Sequence, residues 1–446
     1  MQPWSIDIRL FRQSCSKAIV PFPHRAFGGI RALARAAGRS MLARIVIVGA
    51  GPTGTALSYL LARRGIEVVL LERETDFDRL FRGEGMMPCG IDALAQMGLR
   101  QHLEWLPSRR LDRWEFYFDG VPFLVQPEPD RERPNCVRIV SQPHLLRALV
   151  EEARRFPSFR FEPGTTVRDF SPQADGGVVV RADTRAGPRE FGADLLIGAD
   201  GRSSVVRKRA SIPLEPQPLG YDVVWWSLPL PSWLRAEAVF YAFASSSTTE
   251  AAGAYPSWDG RLRLGWLIPK GTYRSRRTQP PETWLDAVAD LMTPDLGEHI
   301  RRHREEPSSP LLFDVQMARC SSWSAPGVLL LGDAAHPMSP IRAQGINMGL
   351  RDALVAANHL VPAIQAGGGR TRLEAATRRI EEERMPEIAR SQELQVASSK
   401  PPPPLRSPAV RRFVLPVLGR LGLTRRIWLH GERPLRYGAV PVRLTV

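Results

Sequence analysis

Hydrophobic positions change period along the chain, and each change predicts an element. The run Ile45-Val46-Ile47-Val48 is continuously apolar, as expected of a strand covered on both faces. Thr55 to Arg64 follows with helical spacing, and Ile66-Glu67-Val68-Val69-Leu70-Leu71 reads as a second buried strand, so the core opens with a βαβ unit. Pro143 to Arg155 predicts an amphipathic helix, while Gly177-Val178-Val179-Val180 and Asp194-Leu195-Leu196-Ile197-Gly198 predict strands. Between Tyr221 and Gly271 the texture turns to aromatic-rich strand runs: Val223-Val224-Trp225-Trp226, Ala238-Val239-Phe240-Tyr241, and Leu262 to Ile268. A separate sheet is expected there. Val328 to Leu331 returns to a core strand, then a turn and a long helix through Ile346 to His359. The first domain is therefore expected to be discontinuous.

Composition bounds the function. The 446 residues allow two to four structural units, and 43% hydrophobic with 24% charged residues is too close to globular averages for bulk disorder. The net charge of +15 resides at the ends: residues 1–40 carry +6 and residues 400–446 carry +9, leaving residues 41–399 formally neutral. A nucleic-acid enzyme would need a basic stripe on its folded body, so nucleic acid is not an expected partner. Four cysteines without paired spacing suggest neither a zinc site nor a disulfide framework, and no metal is expected. No stretch reaches the roughly 18 uncharged apolar residues that cross a bilayer, so the expectation is a soluble, cytoplasmic protein.

Gly49-Ala50-Gly51-Pro52-Thr53-Gly54 stands directly after a predicted strand and opens a predicted helix, with Glu72 closing the next strand. Gly49 permits the tight turn, Gly51 lets the backbone approach a pyrophosphate, and Gly54 lets helix and strand pack closely. The helix N-terminus offers unpaired N–H groups to the phosphates, and Glu72 can accept from ribose hydroxyls. The motif alone leaves FAD and NAD open.

Two later segments bear on that choice. Asp194 to Arg207 contains Asp200-Gly201-Arg202 between a strand and a helix, and Gly332-Asp333-Ala334-Ala335-His336-Pro337 precedes Gln344-Gly345-Ile346-Asn347 at another helix start. The three segments, in this order over about residues 44–395, resemble the FAD-dependent class A monooxygenase family typified by para-hydroxybenzoate hydroxylase. The resemblance implies a noncovalent FAD, NADH or NADPH as reductant, and oxygen carried as a flavin hydroperoxide. It implies an α/β fold: a Rossmann-like FAD-binding domain, discontinuous in sequence, with an inserted, mainly antiparallel substrate-binding sheet. The boundaries expected are a basic, disordered extension over 1–40, FAD-binding parts at 41–215 and 316–399, the inserted sheet at 216–315, and a basic tail at 400–446.

Site expectations follow motif by motif. Asp333 suits hydrogen bonding to ribityl hydroxyls, and the helix from Gly345 and Asn347 could aim its positive end at the flavin. Asp200 serves flavin and nicotinamide sites in the resemblance, or caps the following helix. Arg82, in Arg82-Gly83-Glu84-Gly85-Met86-Met87-Pro88, and Gln142 match positions that contact the dinucleotide in relatives. Many relatives carry two glycines where Arg342 and Ala343 stand; Arg342 either binds a substrate anion or peroxide or points away and stiffens the loop. It is the one candidate for catalysis. The aromatics Trp225, Trp226, Tyr241 and Trp266 are a candidate substrate wall or plain core.

The leading expectation is hydroxylation of an aromatic or polycyclic small molecule. A flavin reductase or dehydrogenase without oxygen insertion shares the same motifs. A flavin-dependent halogenase is disfavoured, because Leu264 replaces the first tryptophan of its Trp-x-Trp-x-Ile-Pro pattern and no lysine lies between Lys17 and Lys208. A non-enzymatic FAD-dependent interaction protein is the remaining class. The tail, with Arg425 and Arg426 among Leu421, Leu423 and other apolar residues, either meets an anionic membrane surface peripherally or packs on the flavin domain with its arginines solvated.

Overall fold

The computed structural model describes residues 43–446 apart from 79–82, 175, 218, 307–308, 400–406, 408, 415–416 and 419–420. The expected extension 1–40 and the candidate Arg82 lie outside the described residues.

Strand β1 (Arg44–Val48), helix α1 (Pro52–Arg63) and strand β2 (Glu67–Glu72) form the opening βαβ unit. Helix α2 (Pro88–Gln96), strands β3 (Arg113–Phe118) and β4 (Val121–Pro127), helix α3 (Gln142–Arg154), strand β5 (Phe159–Pro163) and strand β6 (Leu195–Gly198) follow. Ile45, Val46 and Ile47 are fully buried, which fits their place inside a parallel sheet covered on both faces. That sheet has six strands in the order β12 (Ser324–Ala325), β13 (Val328–Leu330), β6, β1, β2, β5, with only the edge strand β12 antiparallel. Ile47 pairs with Ile197 on one side and Leu70 on the other. The third motif thus returns to the sheet begun by the first, some 280 residues earlier in the chain.

The second sheet has seven strands: β11 (Leu311–Phe313), β7 (Tyr221–Pro229), β10 (Arg261–Pro269), β9 (Ala251–Pro256), β8 (Val239–Ala244), β3 and β4. All neighbours are antiparallel except β8 with β3, where Tyr241 lies opposite Glu115. The sheet is therefore not confined to residues 216–315; β3 and β4 enter it from the stretch 41–215. A parallel pairing between segments 126 residues apart leaves no mark in local periodicity.

Alternation along β7 decides what each face of this sheet buries. Val224, Trp226 and Leu228 join Tyr241, Phe243, Leu264 and Trp266 in a core closed by helices α4 (Pro281–Ala289) and α5 (Pro294–Arg302). Tyr221, Val223 and Trp225 point to the opposite face, toward the first domain.

Helices α6 (Gln344–Gln365) and α7 (Arg370–Ser398) pack together, and α6 packs on α1. Between them lies a fully buried ionic network. Asp352 accepts from Arg384 Nε at 2.7 Å and Gly332 N at 2.9 Å, and His336 Nε2 is 2.7 Å from its Oδ2. Arg384 also pairs with Glu387, which accepts from Arg351 Nε at 2.9 Å and from Ala439 N at 2.9 Å. His336 thereby plays a structural part within the third flavin motif.

In the C-terminal segment Arg425 and Arg426 are exposed, as the packed-helix reading expects, whereas Arg436 is not solvated. Helix α8 (Leu423–Tyr437) packs against α2, α7 and β4, and Arg436 is buried between Glu128 and Asp130, at 2.8 Å from the latter. Tyr437 donates to Asp130 at 2.6 Å. Two acidic side chains more than 300 residues earlier in sequence make this burial affordable.

Candidate active site

The first part of the site is built by backbone. Gly49 has φ +101°, and a Cβ there would lie 2.4 Å from the Ala199 carbonyl oxygen, so the β1–α1 turn needs glycine. A Cβ on Gly54 would lie 2.0 Å from the Gly49 carbonyl oxygen. Gly51 differs, since a Cβ there would meet nothing within 4 Å. It faces open space at the start of α1, where no side chain caps the first turn and Pro52 takes the first helical position. Glu72, buried at the end of β2, accepts from Ala50 N at 2.7 Å and from Glu74 N at 3.0 Å. A carboxylate that would serve a ribose thus also fastens the glycine loop.

The second motif ends β6. Asp200 accepts from Ser204 Oγ at 2.5 Å and from the N–H groups of Val205 and Val206, capping the short helix Val205–Arg209. Burial raises its pKa against the pull of those hydrogen bonds. The capping role foreseen as its alternative is the one visible in the protein contacts.

The third motif carries the chain from β13 to α6. Asp333 is exposed between buried Gly332 and Ala334, and its Oδ1 lies 4.0 Å from where a Gly345 Cβ would stand. Gly345 is itself exposed in the first turn of the 22-residue α6, whose N-cap Ala343 supplies no side-chain cap. A carboxylate and an uncapped helix N-terminus therefore share one surface. Asn347 does not join them. Its side chain is buried, accepts from Met87 N at 2.9 Å and donates to the Ala343 carbonyl, so it holds the 85–87 segment against the helix. Gln142, the first residue of α3, is half-buried. Thr53 was missed by sequence reasoning: a Cβ on Gly332 or Gly349 would come within 2.5 Å of its Oγ1, so those glycines bring the first and third motifs into contact. Nothing in local spacing signals that approach.

These features fit a dinucleotide cofactor. Two uncapped helix N-termini, an open position beside Gly51 and an exposed Asp333 offer donors to phosphates and acceptors to hydroxyls.

The candidate aromatic wall divides. Trp226, Tyr241 and Trp266 belong to the core under α4 and α5, on the far face of the sheet, and are corrected from wall to core. Trp225 alone of the four faces the first domain, edge-on to Tyr255 with centroids 6.2 Å apart. The wall continues through residues that sequence reasoning missed. Tyr255 stacks with Phe240 at 5.9 Å, Phe240 meets Trp114 at 5.1 Å, and Trp114 and Phe116 meet Trp428 of α8 at 6.1 and 6.3 Å. Ile341 packs in the same cluster as Trp225, so this wall stands beside the loop that leads into α6.

Arg342 lies on that loop with φ +65°, followed by Ala343 at φ +50°. Its Nη2 is 3.0 Å from Glu432 Oε1 of α8, and its guanidinium carbon lies 5.7 Å from the Phe116 ring centroid.

Beneath the wall, Glu84 is buried and accepts from Ser257 Oγ at 2.9 Å and Arg263 Nε at 3.1 Å. Burial pushes its pKa up to about 7 despite the pull of Arg263. A carboxyl raised above its ordinary 4.5 binds more protons folded than unfolded, so its contribution weakens stability as pH rises from 4.5 to about 7 and is level beyond. Glu84→Gln is expected to flatten that part of the curve of thermal stability between pH 4.5 and about 7; an unchanged slope would assign the titration to another group.

Comparison with known proteins agrees with this site. The sequence profile of the family described as FAD binding domain matches residues 43–388. The chain is 30% identical over 362 residues to 6-methylpretetramide 4-monooxygenase of Streptomyces rimosus, covering 80% of this chain and 83% of that one. It is 26% identical over 314 residues to a 3-(3-hydroxy-phenyl)propionate/3-hydroxycinnamic acid hydroxylase of Paraburkholderia xenovorans, covering 70% of this chain but only 48% of that relative. Among solved structures, p-nitrophenol 4-monooxygenase of Pseudomonas putida superposes with a TM-score of 0.73 over 90% of this chain and all of that one, at 19% identity. The fold is shared with an enzyme of this kind, and the family match extends across both parts of the flavin domain; the chain belongs to the FAD-binding family of class A monooxygenases and is an FAD-dependent oxidoreductase that uses a nicotinamide reductant.

Proposed function

We propose that this monooxygenase hydroxylates an aromatic or polycyclic small molecule bound between the aromatic wall and the start of α6. The observation that carries the reading is the wall itself: Trp225, Phe240, Phe116 and Trp428 are half-buried side chains beside the Arg342 loop rather than sealed core. Bound FAD, reduced by NADH or NADPH, would supply the oxygen chemistry. The chain's own residues hold and shelter it. Gly51 and the N-terminus of α1 would take the pyrophosphate, Glu72 the adenosine ribose, and Asp333 the ribityl hydroxyls. The start of α6 would place its positive end where negative charge builds on reduction. The rings of the wall would orient a flat substrate and exclude water from the reacting centre.

Substrate-stimulated NAD(P)H oxidation tests the reading, using a panel of polycyclic phenols with hydrogen peroxide and product measured together. Hydroxylated product formed in step with reductant consumption is expected. Oxidation without product for every compound would favour a reductase, and no reduction of the flavin at all would favour the non-enzymatic class.

A second observation concerns α8 and the turn that precedes it. Ile427 and Leu421 are 67% and 65% exposed beside exposed Arg425 and Arg426, which supports peripheral contact with an anionic bilayer. No helix among the described residues is long and apolar enough to cross a membrane. Flotation with anionic vesicles should recover the protein at low salt and less of it at high salt; its absence from the low-salt vesicle fraction would overturn this contact.

A further inference from the structure

We infer that Arg342 is the recognition point for an ionised oxygen on the aromatic substrate, and that Glu432 occupies it until such a substrate arrives. The inference rests on the reading that the wall receives the substrate. Arg342 stands where three parts of the structure meet: the loop leading into α6, Phe116 of the wall, and α8. Its side chain and that of Glu432 keep 20% and 10% of their exposure, so the pair is sheltered without being sealed.

The pair differs from the other arginine pairs nearby. Arg436 is shared between two carboxylates, and Arg351 engages both oxygens of Glu387. Among the described residues, Arg342 has one carboxylate partner, Glu432. A guanidinium has five N–H donors, so most of its capacity is left for another acceptor. The pair is also not what fastens α8. That helix is held by Arg436 and Tyr437 on Asp130 and by Gln344 Nε2 donating to the Leu435 carbonyl at 3.1 Å. The backbone of Arg342 is held in the left-handed region, which disfavours any residue with a Cβ, so the loop presents this side chain from a strained position. The guanidinium stands over the Phe116 ring, so an aromatic acid whose anion meets the Nη atoms would lie beside the wall's rings.

The substrate class that follows is an aromatic scaffold bearing a carboxylate or an acidic phenol or enol. Exchange of one anion for another leaves the guanidinium neutralised throughout, and the displaced Glu432 carboxylate must turn toward solvent as the substrate anion takes its place.

Calorimetry on the FAD-loaded protein at pH 8 tests this with 2-naphthoate and its neutral counterpart 2-naphthamide. Wild type should bind the acid at least about tenfold tighter than the amide, the range for a hydrogen bond to a charged group. Arg342→Gln should abolish that preference, and Arg342→Lys should keep part of it. Glu432→Gln removes the competing anion and should tighten binding of the acid severalfold while leaving the amide unchanged. Equal affinity of acid and amide for wild type, or a preference that survives in Arg342→Gln, overturns the inference alone. Binding of neither probe overturns the reading of the wall and this inference with it. FAD content at the wild-type value and a retained cooperative melting transition in each variant separate these outcomes from misfolding.

Discussion

Gly51→Asp is expected to yield a folded protein that no longer retains FAD. A Cβ at Gly51 meets no atom within 4 Å, and the backbone there has φ −74°, which aspartate adopts freely, so packing should survive. The electrostatics change instead. The N-terminus of α1, which fits a pyrophosphate, would face a carboxylate of its own and be satisfied by it. Two like unit charges about 4 Å apart repel by about 4 kcal/mol at an effective dielectric constant of ~20, which is about a thousandfold in affinity. FAD released on mild denaturation, measured beside the melting temperature, checks this; wild-type flavin content would remove the pyrophosphate from this turn. Gly54→Val is the contrasting case. Its Cβ would stand 2.0 Å from the Gly49 carbonyl oxygen, so the strand and helix must separate, and both flavin content and stability should fall.

Arg384→Met is expected to cost about 3–5 kcal/mol of stability, the usual result of removing one member of a buried ionic network. The guanidinium is fully buried and ties Asp352 to Glu387, and methionine of similar reach leaves both carboxylates without it. The midpoint of urea denaturation of the FAD-loaded protein should drop accordingly, and a shift no larger than that of a surface substitution would show that water or His336 already compensates. Asp352 gives the network an acid signature. Burial would raise its pKa, but His336 and Arg384 beside it hold it down to about 2, below its ordinary 3.8. A depressed carboxylate stabilises the fold above its unfolded pKa and loses that contribution as pH falls from near 4 toward 2. Asp352→Asn should therefore lack this acid limb while being less stable at neutral pH. Because the network also accepts from Gly332 N and Ala439 N, its loss should loosen both the third flavin motif and the segment after α8.

The parallel core and its glycine turn were legible in the residues because their cause is local. A strand buried on both faces must be continuously apolar, as Ile45 to Val48 are, and a turn at φ +101° against a neighbouring carbonyl must be glycine, as Gly49 is. Alternation likewise requires Trp225 and Trp226 to point to opposite faces of their strand. Which face meets the flavin domain, however, depends on where α4 and α5 dock, and that placed Trp226, Tyr241 and Trp266 in the second core while leaving Trp225 in the wall. The rest of the wall depends on pairings across long separations: β3 reaches the sheet through a parallel partner 126 residues away, and Trp428 reaches Phe116 only because α8 folds back. The same holds for polar groups. The side chains of Asn347, Glu432 and Arg436 are defined by partners at Met87, Arg342 and Glu128, and a hydrogen bond between residues so far apart imposes no spacing on the chain. The amino-acid sequence by itself determined the cofactor-binding turns and the two kinds of sheet, because steric and hydrophobic requirements act on neighbouring residues; tertiary structure alone decided which aromatics form the wall and which carboxylate meets Arg342, because burial and charge pairing are settled by whatever element arrives from elsewhere in the chain.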